Sequence, residues 1–64
     1  MYKLVVAEIK PDKTTEVIRE PQYKKLEVAI TVADKIFMLL GKELEVKIID
    51  LDTNRIVYMP NKIK

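Results

Sequence analysis

Nineteen residues, Gln22 to Leu40, run between Pro21 and Gly41 without a glycine, a proline or an asparagine. Proline suits the first turn of a helix, and glycine is the common stop just past a helix end. The run is too long for one ordinary strand. As a helix it spans about 28 Å. Part of it, Leu26–Val32, alternates like a strand and is rich in β-branched residues. Against that, Tyr23, Leu26, Ile30, Ala33, Phe37 and Leu40 recur at alternating steps of three and four, which places them on one helical face. The run is therefore read as a helix from Gln22 to Leu40.

On both sides of it the periodicity changes to two. Tyr2 to Ile9 is β-rich, with Val5, Ala7 and Ile9 on one face and Leu4 and Val6 on the other. Lys10-Pro11-Asp12-Lys13 is a turn, with proline preset for its second position. Thr14 to Arg19 returns as a short, charged edge strand. After the helix, Glu43 to Leu51 alternates again, with Leu44, Val46 and Ile48 facing one way. Asp52-Thr53-Asn54-Arg55 is a second turn, and Ile56 to Met59 is a last strand stopped by Pro60. Val5, Ala7, Ile9 and Pro21 stand at one constant offset from Leu44, Val46, Ile48 and Pro60, so both halves open with the same hairpin layout.

These elements give an α+β fold in the order ββαββ. The expectation is a single small domain over residues 1–64, with one helix on one face of a single four-stranded antiparallel sheet. The first and third strands are the more apolar and belong in the middle, giving the order 2-1-3-4. Val5, Ala7 and Ile9 are expected to face the helix. Leu4, Val6, Ile49, Leu51 and Val57 are expected on the opposite side.

The helix carries more apolar surface than such a layer can cover. Val28, Val32 and Leu39 form a second apolar line away from the sheet-facing set, which widens the apolar arc to about 220°, where one sheet needs little more than 100°. Three residues in line make a patch, and scattered exposed apolar residues do not. Self-association through Val28, Val32, Ile36 and Leu39 follows as the expectation, with sheet stacking through the other face as its alternative. Symmetric dimers are the commonest soluble assembly.

Chemistry is excluded more than it is indicated. The chain has no Cys, His, Ser or Trp and a single Gly. That removes disulfides, thiolate metal sites, nucleophile–imidazole pairs and glycine-rich phosphate loops. The acidic pairs Asp50/Asp52 and Glu43/Glu45 read as a turn and a solvated strand face, and they are too few to cage a cation. No metal, cofactor or catalytic residue is expected. No apolar run approaches the roughly 18 residues of a membrane span, and the start of the chain is charged too soon for a signal peptide. A cytoplasmic protein without a membrane partner is the expectation.

The charges are mixed in sign, with 12 Lys and Arg against 10 Asp and Glu. From Thr53 onward, however, Arg55, Lys62 and Lys64 meet no acidic residue. With Lys24 and Lys25 at the start of the helix they form a candidate basic patch for nucleic acid phosphates. The only strand aromatics are Tyr2 and Tyr58, few for a single-strand reader. The run Val46–Val57 resembles hairpins of small bacterial and phage proteins and carries no functional residue with it. Two functional readings stand. The first is a non-catalytic interaction protein that acts as a homo-oligomer and binds a protein or small ligand, of the kind that serves as a phage or mobile-element accessory factor. The second is a small nucleic-acid-binding module using the basic patch.

Overall fold

The computed structural model describes residues 1–41 and 43–60. Six elements follow one another: β1 (Tyr2–Ile9), β2 (Thr15–Arg19), β3 (Gln22–Tyr23), α1 (Leu26–Leu40), β4 (Leu44–Asp50) and β5 (Arg55–Tyr58). The fold is α+β, one helix on one antiparallel sheet, and the sheet order is β2-β1-β4-β5 with β3 also paired to β1. Leaving β3 aside, this is the order 2-1-3-4 read from the sequence.

The first difference from expectation lies at Pro21. The helix begins at Leu26, because Gln22 and Tyr23 are drawn into the sheet opposite Lys3 and Tyr2. The Leu4 N–H donates to the Pro21 carbonyl at 2.9 Å and bridges the gap between β2 and β3. Pro21 thus interrupts one long edge strand, where its missing N–H costs no ladder bond. Lys25 is still extended, with φ −114° and ψ 132°. The sheet therefore has five strands.

The second difference concerns faces. Leu4, Val6, Leu44, Val46 and Ile48 form the core with Ala29 and Ala33 of α1. Leu4 and Val6, expected on the far side, face the helix, and Val5 and Ala7 point away from it. The antiparallel register decides this. It pairs Leu4 with Ile48 and Val6 with Val46, so the even-numbered residues of both central strands share one side. Val5 and Ala7 are nonetheless only 5% and 3% exposed. Their cross-strand partners on the open face are Lys47 and Glu45, both half-buried.

Ala29 and Ala33 are fully buried and let the helix axis come close to the sheet. Leu26, Ile30, Val32 and Ile36 flank them against the core, with Tyr2, Tyr23 and Tyr58 closing its rim. The helix lies across β4 and β1 and reaches β3. Val32 therefore belongs to the core-facing side. Leu40, expected there, is 52% exposed.

Both hairpin turns rest on left-handed residues. In the first, the Lys13 N–H donates to the Lys10 carbonyl at 2.9 Å, and Lys13 itself has φ 71°. The Thr14 hydroxyl and amide donate to Asp12 and hold its carboxyl below the ordinary value. In the second, the Asn54 N–H donates to the Asp50 carbonyl, and Asn54 has φ 60°.

Candidate interaction surface

Of the four residues singled out for self-association, the fold separates two pairs. Val32 and Ile36 are half-buried and rest against the core. Val28 is 44% exposed and Leu39 71%. The line drawn from the sequence is thus partly spent inside the subunit.

The larger exposed apolar area lies at the C-terminal end of α1. Met38 is 81% exposed and is followed by Leu39 and Leu40. Successive helical residues point roughly 100° apart, so these three face almost every direction around the axis. A helix turn that is apolar all round is ordinarily buried all round. Here only the sheet side has a neighbour. The sequence signal for this was the unbroken run Ile36-Phe37-Met38-Leu39-Leu40, which no single helical face accommodates.

Two shallow depressions mark this end of the molecule. One, of about 550 Å³, is lined by Phe37, Met38, Leu39, Leu40, Gly41 and Glu43. The other, of about 470 Å³, lies between the helix and β5 and is lined by Asp34, Phe37, Met38, Tyr58 and Pro60. Beside the second, the Tyr58 hydroxyl donates to Asp34 Oδ1 at 2.5 Å. That bond to a carboxylate, reinforced by burial and by the Asp34 charge, raises the tyrosine pKa above its ordinary value.

Gly41 ends the helix in a right-handed conformation, with φ −60° and ψ −23°. It therefore does not serve there as a left-handed cap. A Cβ at this position would overlap the Phe37 carbonyl oxygen and approach the Phe37 ring to 2.8 Å.

The basic residues are only partly gathered. Lys24 and Lys25 precede the helix, and Arg55 opens β5. All three lie at the end of the sheet where Tyr2 pairs with both Tyr23 and Asp50. Acidic groups share that end. Asp50 stands opposite Arg55, and Asp52 lies 3.8 Å from the Met1 α-amino group. Lys62 and Lys64 lie outside the described residues. Asp50 Oδ1 also accepts from the Asp52 N–H at 2.9 Å, the turn role read from the sequence. Among the described residues no three potential metal-ligating side chains converge, and no helix is long and apolar enough to cross a membrane.

No protein-family model matches the chain, and neither a curated protein nor a solved structure is significantly similar to it.

Proposed function

We propose that this chain is a non-catalytic interaction protein that works as a homo-oligomer, with the apolar end of α1 as its principal contact. In that assembled form it binds a protein or small-ligand partner. One observation carries the reading: Met38, Leu39 and Leu40 are 81%, 71% and 52% exposed, in succession, on the last helical turn of a very small domain. Fully burying a side chain of this type stabilises by about 1.5–3 kcal/mol, so the three together are worth several kcal/mol to whatever covers them. A chain of this length also builds only a thin core of its own and gains most from shared burial.

Light scattering across the micromolar to millimolar range tests the proposal. The wild-type chain is expected as a dimer or larger species. Leu39→Glu combined with Met38→Glu is expected to leave a folded monomer. A wild-type chain that stays monomeric at the highest concentration refutes the reading.

A further inference from the structure

We propose that two copies of this chain join edge to edge through β5, antiparallel about a two-fold axis at Ile56–Val57, so that Arg55 of each copy meets Asp34 of the other. The proposal rests on the self-association reading above and assigns it a seat.

Both edges of the sheet are bulged and carry two exposed apolar residues, Val17 and Ile18 on one and Ile56 and Val57 on the other, but they differ in charge and continuity. Along β2 and β3 the edge is interrupted by Pro21. It is also lined with charge. Glu16 is paired with Lys10 at 2.7 Å, and Glu20 with Lys3 at 3.1 Å. These are the usual devices against edge pairing. The β5 edge has one charged residue, Arg55, while Ile56 and Val57 are 51% and 42% exposed. Among the described residues no strand pairs with its outer side.

β5 is bulged in a way that suits a two-fold. Tyr58 lies opposite Ile48, Ile56 opposite Ile49 and Arg55 opposite Asp50, so Val57 is the extra residue. In a regular strand, residues three apart point to opposite faces. The bulge puts Arg55 and Tyr58 on the same face, the one that carries the helix. The strand then reads alike in both directions: a helix-side residue at each end and the bulge between. An axis through the bulge sets Arg55 of one copy across from Tyr58 of the other. Such a contact is closed and self-complementary.

Charge supports the same arrangement. Tyr58 holds the Asp34 carboxylate on that face by its 2.5 Å hydrogen bond to Oδ1. Among the described residues Asp34 has no cation and Arg55 no carboxylate within ion-pair distance. The antiparallel pairing brings these two opposite charges together twice and keeps the two Arg55 side chains at opposite ends of the strand pair. The depression lined by Phe37, Met38, Tyr58 and Pro60 runs beside the same edge. The apolar end of the helix thus continues into the strand contact.

Charge reversal provides the test. Arg55→Glu and Asp34→Arg, made singly, are each expected to weaken association by about tenfold or more, because like charges then face each other across the pair. The double variant is expected to recover most of the loss. Asp34→Arg also removes the acceptor of the Tyr58 hydroxyl, so Tyr58→Phe measures what loss of that bond alone does and is expected to weaken association by less than Asp34→Arg. Hydrogen exchange gives a second readout, with the amides of Ile56–Tyr58 gaining protection as the chain assembles. An oligomer indifferent to Arg55→Glu, or a double variant no better than the singles, overturns the β5 seat and leaves self-association standing. A wild-type monomer overturns both.

Discussion

Tyr58 and Asp34 stand 24 positions apart in sequence, and the 2.5 Å bond between them is the side-chain hydrogen bond that ties the helix to the sheet among the described residues. It joins the last strand to the outer flank of α1, where the apolar core has already ended. Tyr58→Phe keeps the ring on the rim of the core and removes the donor. The expected loss is about 1 kcal/mol of unfolding free energy, measured by urea denaturation at neutral pH. The same bond sets a pH dependence. The phenol pKa is raised in the folded chain, so between the unfolded and folded values the native state holds the proton longer. The contribution is fully present below the ordinary tyrosine value near 10 and is lost as the pH rises through the folded value. Tyrosine absorbance and unfolding followed together on the alkaline side check this, with Tyr58→Phe expected to flatten the decline.

Gly41 is held by contact and not by its backbone angles. Gly41→Ala brings a methyl group against the Phe37 carbonyl and ring. The ring is free to shift only at the cost of its own seat, and the carbonyl belongs to the helix. A loss of about 1–3 kcal/mol is expected, the usual range for overpacking. Phe37→Leu in the same chain is expected to return only the part due to the ring. Equal stability of Gly41→Ala and wild type in thermal unfolding refutes the contact.

The two left-handed turn residues predict opposite responses. Lys13, at φ 71°, has a Cβ that this conformation disfavours by about 1–2 kcal/mol. Lys13→Gly is therefore expected to stabilise the chain by about 0.5–1 kcal/mol, once the greater freedom of glycine in the unfolded chain is set against that gain. Asn54, at φ 60°, is already one of the residues that tolerate the region. Asn54→Ala is expected to destabilise. Chemical denaturation of both variants decides the pair of signs.

Apart from β3, the order of elements was legible because the hydrophobic period changes twice, from two to 3.6 between Pro21 and Leu26 and back again at Gly41. The choice of face was not. Leu4, Val5, Val6 and Ala7 are four consecutive apolar residues, and all four are buried in the fold. Alternation carries no information where both phases are apolar, and the register with β4 settles the matter. The short strand at Gln22–Tyr23 was hidden for a related reason, since its pairing depends on Tyr2 and Lys3, which are remote in sequence. At the candidate site, the excess of apolar surface on the helix was readable in the run Ile36–Leu40. Its distribution was not fully so, because Val32, read as part of the outer line, rests against the core beside Ala29 and Ala33. That Arg55 and Tyr58 share the helix-side face depends on the bulge at Val57, which no local pattern in Arg55–Tyr58 announces.

Assembly through the helix end has a thermodynamic signature that needs no knowledge of the partner. If native chains associate and unfolded chains do not, mass action stabilises the fold as concentration rises. The melting temperature of the wild type is therefore expected to climb with protein concentration. Met38 and Leu39 are 81% and 71% exposed, so replacing them removes little packing inside a subunit. Met38→Glu with Leu39→Glu is thus expected to give a melting temperature independent of concentration. Scanning calorimetry over a hundredfold range of concentration separates the outcomes. A wild-type melting temperature that does not move with concentration, in a chain that scatters as a monomer, leaves the last turn of α1 as bare surface and removes the basis of the proposed function.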